Sequence, residues 1–324
     1  MLIHRRRLLG YGLSLPFALT TTRVWANMIE PKSIGEHIMY STVRIVGKIP
    51  NSTNIKTGTG FFFNFPTDSK EFVPVLITNK HVIDGTERLG FLIHTATDRD
   101  AKAPSANVEI DSVPSDWIPH PDPKIDLCGL IVGPVMNSMS PLIPFFRPLD
   151  PSLIKSDEEL KQFDAVEQVL MVGYPNGLWD STNNFPLLRR GITASHPAVD
   201  FVVDGVATTV IDIASFPGSS GSPVFIYNDG SYPTKTGGIV LGTRVIFLGV
   251  LYSGPIFQPD GSIVVRNIPT VNMPVPVVNM MMNLGYMIKA KEVTALGATI
   301  FAKHQLKSPP PPPTATPTPE QQTK

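Results

Sequence analysis

The sequence predicts an all-β protein, either a sandwich or a pair of barrels. Three observations carry that expectation. Short runs of β-branched and aromatic residues recur from residue 38 onward. Turn signals such as Asn228-Asp229-Gly230 and Pro259-Asp260-Gly261 punctuate them. The chain has 324 residues and a single cysteine, so its fold is held by an apolar core and not by disulfides.

The elements follow in order. Val43 and Ile45 alternate with Thr42 and Arg44, the period of a half-buried strand. Gly58-Thr59-Gly60 reads as a turn into Phe61-Phe62-Phe63, and Val73 to Ile77 forms the next run. Later runs are Val169 to Val172, Phe201 to Val203, Thr208 to Ile213, Pro223 to Tyr227, Val245 to Tyr252 and Ile263 to Val265. Residues 133–166 are proline-rich, with an acidic, helix-compatible piece from Asp157 to Phe163, and read as a connection between two β domains. Residues 277–288 carry several methionines and suggest a short helix ending near Gly285, its methionines in the core. From Ser308 a run of prolines and threonines cannot bury a core and is expected to be an extended tail.

The N-terminus has the form of an export signal. Arg5-Arg6-Arg7 precede a modestly apolar stretch to Leu19, and Val24-Trp25-Ala26 supply small residues before a cut after Ala26. The arginine run followed by Leu8-Leu9 resembles a twin-arginine signal; an ordinary signal peptide or a short membrane anchor is the alternative. Removing residues 1–26 leaves 23 basic against 27 acidic groups, a net of −4. That is no footprint of a nucleic-acid binder, and no integral membrane segment is expected in the mature chain. Cys128 lies in the apolar run Leu127 to Val132 and reads as a buried small hydrophobe before it reads as a nucleophile.

Three segments carry the chemistry. In "VLITNKHVIDG", residues 75–85, His81 follows the end of an apolar strand, where its near-neutral pKa suits proton transfer. In "KIDLCGLIV", residues 124–132, Asp126 opens an apolar strand and can accept the second imidazole N–H of His81; Asp122 and Asp84 are its rivals. In "FPGSSGSPVF", residues 216–225, glycines permit a backbone that lets the N–H groups of Gly218 and Ser220 converge. Such a pair stabilises an oxyanion by about 3–4 kcal/mol per donor. Taken singly, each segment has a plain reading: a structural histidine, a turn-capping aspartate and a tight turn. The order His, Asp, Ser disfavours an α/β-hydrolase, in which the serine comes first.

"GTGF", "LITNKHV", "IDLCGLIV" and "PGSSGSPVF" together resemble the signature segments of the chymotrypsin-like (trypsin-like) serine proteases. "TNKHV", "VGYP" at 172–175 and the lack of disulfides resemble the bacterial trypsin-like peptidases related to the Do-like group. The resemblance spans roughly residues 38–288. It implies two six-stranded antiparallel β-barrels with a short C-terminal helix, and a triad of His81, Asp126 and Ser220 in the cleft between them. It implies an oxyanion hole from the backbone of Gly218 and Ser220. By position, Ala214 and Ser215 with Val250 to Gly254, Tyr252 and Ser253 among them, line the substrate pocket. Nothing acidic falls there, so apolar or small residues are the expected preference. Ser222 stands where many relatives have glycine. Ser219 stands where the digestive enzymes have an aspartate that pairs with a freshly cut N-terminus; without it, other contacts must order the loop. No segment after residue 255 reads as a PDZ domain.

The expectation is therefore an exported bacterial serine endopeptidase, periplasmic or secreted, acting on a protein or peptide without metal or cofactor. Its divisions are a signal peptide over 1–26, a first barrel over 27–135 with His81 and Asp126, a connection over 136–166, a second barrel over 167–305 with Ser220 and a terminal helix, and a tail over 306–324. A catalytically silent protease fold that binds a peptide or an exported protein is the alternative from another class. An esterase on the same scaffold is a third.

Overall fold

The computed structural model describes residues 19–22, 28–257 and 280–308. Two antiparallel sheets account for most of it. The first holds β1 (Leu19–Thr22), β2 (Thr42–Lys48), β3 (Ile55–Pro66), β4 (Phe72–Thr78), β5 (Arg88–Ala96), β6 (Ala106–Ser112), β7 (Ile118–Pro119), β8 (Cys128–Ile131) and β9 (Ile143–Pro144). Its strands lie in the order β1-β6-β5-β2-β3-β4-β8-β7, with β9 beside β5. The second holds β10 (Gln168–Gly173), β11 (Leu187–Thr193), β12 (Phe201–Val203), β13 (Val206–Asp212), β14 (Pro223–Asn228), β17 (Arg244–Ser253) and β20 (Leu284–Lys289). Between β14 and β17, β15 (Ser231–Pro233) and β16 (Ile239–Leu241) form a separate hairpin; β18 (Ile256–Phe257) pairs with β19 (Met280–Met281). The helices are α1 (Ile34–Met39), α2 (Lys80–Ile83), α3 (Gly133–Ser138), α4 (Asp157–Leu160) and α5 (Lys291–Lys303).

The second sheet closes on itself. Its order is β11-β10-β14-β17-β20-β13, and β13 pairs back onto β11 through Ile192–Asp212 and Thr193–Ile211, giving a six-stranded barrel with β12 outside it. The first sheet is not closed. Its last strand, β7, is a two-residue piece whose Pro119 has no N–H to extend a ladder, and at the other margin β6 pairs with β1. Of two expected closed barrels, one closed barrel and one open sheet are found.

Three local readings are corrected. Gly58 and Gly60 do not form a turn; they lie inside β3, where Val82 packs 2.5 Å from the Cβ position of Gly58 and Ile45 packs 2.8 Å from that of Gly60. Residues 284–288 of the expected methionine helix are strand β20, hydrogen-bonded to β13 on one side and β17 on the other. The alternation of half-buried Leu284 and Tyr286 with buried Gly285 and Met287 is that of a strand, and the terminal helix begins later, at Lys291. Leu306, placed in the tail, packs against the core, and its N–H donates to the Phe301 carbonyl at 2.9 Å. Leader residues 1–18 and 23–26, the run at 263–265, the turn at 259–261 and the proline run from 309 lie outside the described residues. Leader residues 19–22 are β1.

One apolar cluster crosses the two halves of the chain. It includes Phe61, Phe63 and Ile77 of the first sheet, Phe225 and Phe247 of the barrel, and Val293, Leu296 and Ile300 of α5. Phe61 meets Phe247 edge-on, with ring centroids 5.5 Å apart. The helix at Lys291–Lys303 thus packs on the first sheet and ties the two halves of the chain together. Among the described residues, no helix is long and apolar enough to cross a membrane.

Candidate active site

β4 ends at Thr78, as expected, and Asn79 opens the short helix that carries His81. The imidazole Nδ1 lies 2.5 Å from Asp126 Oδ2, and the His81 backbone N–H donates to Asp126 Oδ1 at 3.1 Å. One carboxylate therefore holds both the ring and the main chain of the histidine, which fixes the ring's rotation. The Asp126 carbonyl accepts in turn from Asn79 Nδ2 at 2.6 Å, so the loop before β8 is latched to the helix start. The His81 side chain is 48% exposed and that of Asp126 is 24% exposed, so the ring borders solvent while its partner sits behind it. Asp122 accepts from the Lys124 backbone N–H through its carboxylate, and neither it nor Asp84 is hydrogen-bonded to the imidazole.

The turn before β14 is held from the first sheet. Gly218 and Gly221 have φ of +85° and +86°, the left-handed region that a side chain resists. A Cβ on Gly221 would fall 1.9 Å from the Thr59 carbonyl oxygen. Buried Thr59 grips the turn at both ends: its N–H donates to the Ser220 carbonyl at 2.8 Å and its hydroxyl to the Gly218 carbonyl at 3.0 Å. The same hydroxyl accepts from the Tyr174 N–H at 3.1 Å, and Ser222 Oγ lies 3.3 Å from it. Ser222, the departure from glycine, is thus a buried member of this network. The Gly221 N–H donates to the Leu251 carbonyl at 2.8 Å.

These contacts decide where the turn's remaining N–H groups point. The Pro217 carbonyl accepts from the Asn176 N–H at 2.5 Å, which turns the 217–218 peptide so that the Gly218 N–H faces the other way. Among the described residues, neither the Gly218 N–H nor the Ser220 N–H has a hydrogen-bond acceptor. Two free donors, one on Ser220 itself and one two residues before it, are the groups that stabilise a developing oxyanion when they face one point. Thr78, three residues before His81, donates to the Thr59 carbonyl at 2.7 Å, so the strand that leads to the histidine and the turn that carries Ser220 share one strut. The Ser220 hydroxyl itself makes no hydrogen bond among the described residues, to His81 or to anything else.

The pocket residues converge in part. The Ser215 hydroxyl donates to the Ile213 carbonyl at 3.2 Å and lies 2.7 Å from where a Cβ on Gly285 would be; Leu251 closes the same spot at 2.6 Å. Ala214 is half-buried, Tyr252 is half-buried and Ser253 is exposed. Burial pushes the Tyr252 phenol up to about 12, and the negative charges of Asp204 and Asp126 add to the rise. A separate open cavity of about 580 Å³, bordered by Arg190, Asp212, Tyr227 and Asn283, shares only Ala214 with this pocket and lies away from His81. Cys128 is buried, with Sγ 3.7 Å from the Thr78 carbonyl, and burial raises its thiol pKa, which keeps it an inert thiol.

Thr59, Asn79, Asn176 and Arg189 are the members of this neighbourhood not singled out from sequence. Thr59 and Asn79 lie inside motif segments, and Asn176-Gly177 is a turn signal directly after "VGYP".

No family model and no curated protein matches the chain. Among solved structures it is similar to the Rv3671c protease of M. tuberculosis in its active form, with 16% identity and a TM-score of 0.40 over 90% of this chain and 94% of that one. The inactive form of the Rv3671c protease gives 18% identity and a TM-score of 0.38 over 81% of this chain and 90% of that one.

Proposed function

We propose that the chain is a serine endopeptidase of chymotrypsin-like architecture in which an open sheet stands in place of the first barrel, with residues 27–135, 136–166 and 167–305 as its divisions. The observation that carries the reading is the pair of unengaged N–H groups, Gly218 and Ser220, in a turn that Thr59 braces to the strand leading to a histidine held by a carboxylate. Ser220 Oγ attacks the substrate carbonyl, and His81 takes its proton through Nε2. Asp126 holds the ring and stabilises the imidazolium. The carbonyl oxygen, now negative, is met by the two N–H groups. His81 returns the proton to the leaving amine, and water resolves the acyl-enzyme by the same route. The chemistry asks for nothing beyond these groups. A leader over residues 1–26 directs export to a bacterial periplasm or exterior; a cut after Ala26 removes β1 and leaves β6 as an edge strand.

The test is turnover of an unbiased peptide library by the protein lacking residues 1–26, read by mass spectrometry. Cleavage by wild type and none by Ser220→Ala supports the reading; equal cleavage by both abandons it.

One observation favours a second reading. The Ser220 hydroxyl is not hydrogen-bonded to His81. A catalytically silent module that binds an extended peptide in the same cleft fits that geometry, although such bonds often tighten only when substrate is bound. Retention of library peptides without cleavage would favour it.

A further inference from the structure

Ser219 lacks the carboxylate that would tie its loop down, yet its side chain is fully buried. The group that meets it is Arg189, from β11 of the closed barrel. Arg189 Nη2 donates to Ser219 Oγ at 3.0 Å, and Nη1 donates to the Ala214 carbonyl at 2.5 Å. One planar guanidinium therefore spans the segment that runs from the pocket floor at Ala214 to the residue before the nucleophile.

The bonding of this arginine is unusual. Among the described residues no carboxylate pairs with Arg189, whereas Arg88 pairs with Asp111 and Arg244 with Glu167. Its Nε is out of water and has no acceptor. Burial lowers its pKa to about 10, so it remains a cation at neutral pH. A cation in that position depends on the two neutral oxygens it reaches, because turning either away strands charge. The Ser220 N–H belongs to the peptide that follows Ser219, and the Gly218 N–H to the Pro217–Gly218 peptide inside the bridged segment, so holding Ala214 and Ser219 in place constrains both donors.

We infer that Arg189 is a positioning residue, a clamp from the barrel wall that holds the Ala214–Ser219 segment in the arrangement where the Gly218 and Ser220 N–H groups converge. The inference rests on the nucleophile reading of Ser220. It also explains how the loop is ordered without an acid at Ser219: here the buried charge comes from the wall, and the loop supplies only neutral acceptors.

The test combines Arg189→Met, Ser219→Ala and Ser219→Asp, with thermal unfolding and the saturation kinetics of acylation by a p-nitrophenyl ester, which transfers its acyl group to Ser220 and releases p-nitrophenol. Arg189→Met is expected to fold and to lose about tenfold to a hundredfold in the maximal acylation rate, the scale of a hydrogen bond to a charged group. The probe concentration for half-saturation should change little. Ser219→Ala should slow acylation in the same direction, and it serves where Arg189→Met does not fold. Ser219→Asp should fold with Arg189 present, as an ion pair, and be severely destabilised in the Arg189→Met background. Wild-type acylation rates in both Arg189→Met and Ser219→Ala would overturn the clamp, as would an equal cost of Ser219→Asp in the two backgrounds. If wild type itself is not acylated, the nucleophile reading fails, while the unfolding cycle still decides whether Arg189 and Ser219 are coupled.

Discussion

Thr59 and Gly218 belong to different halves of the chain, and the Thr59 hydroxyl donates to the Gly218 carbonyl at 3.0 Å. That bond joins the first sheet to the turn bearing Ser220, and the Thr59 N–H doubles it at the Ser220 carbonyl. Thr59→Val keeps the shape and removes the hydroxyl, leaving the Gly218 carbonyl and the Tyr174 N–H unpaired in a buried place. The expected cost is about 1–3 kcal/mol of stability. Urea unfolding measures it, and the acylation rate should fall by more than the loss of folded protein explains.

Gly221 has no room for a side chain. Its φ of +86° and the Thr59 carbonyl 1.9 Å from its Cβ position both exclude a side chain. Gly221→Ala should abolish acylation at Ser220, even where circular dichroism shows the sheets intact. Acylation at the wild-type rate would mean the turn is not held as described.

His94 gives the fold a dependence on acid. It is buried beside Tyr40 and Phe185, and its Nε2 lies 3.2 Å from the Asn184 carbonyl across the two halves of the chain. Burial lowers its pKa to about 4. The unfolded chain therefore takes up a proton at this residue before the folded one does. Stability is full above the unfolded value near 6.5 and is lost as pH falls toward 4, at up to about 1.4 kcal/mol per pH unit. Chemical denaturation at pH 7 and pH 5 should show a smaller loss for His94→Phe than for wild type.

Gly297 tests how the last helix is seated. In an exposed helix Gly→Ala stabilises by about 1 kcal/mol. Here the Phe65 ring lies 2.2 Å from the Cβ position. Gly297→Ala is expected to lower Tm, the opposite sign, because Phe65 is buried and its ring cannot move aside freely.

Much of this was legible in the residues, for identifiable reasons. The runs at Val43, Val73, Val169 and Phe201 have the period or composition of strands and lie in strands. His81 follows one apolar strand and Asp126 precedes another, a pattern that pairs them in the sequence, and the two side chains are in contact. What misled were residues whose local signal and tertiary setting disagree. Gly58 and Gly60 look like a turn but make room for Val82 and Ile45 within β3. Leu284 to Ile288 has methionine-rich, helix-like surroundings, yet the barrel needs a strand there to bridge β17 and β13. Sheet closure depends on which strand margins meet: Pro119 withholds a ladder donor from β7, but no local pattern tells which margin would face it. Thr59 and Arg189 act through contacts with residues 159 and 30 positions away, separations that local pattern cannot register.

The most direct measurement is fluorophosphonate labelling of the protein lacking residues 1–26, with the modified residue located by mass spectrometry, beside Ser220→Ala, His81→Ala and Asp126→Asn. The expected result is one adduct, on Ser220, lost in Ser220→Ala and slowed by orders of magnitude in the other two. A well-folded wild type that stays unlabelled, or that labels equally without His81, would contradict an activated nucleophile at this turn.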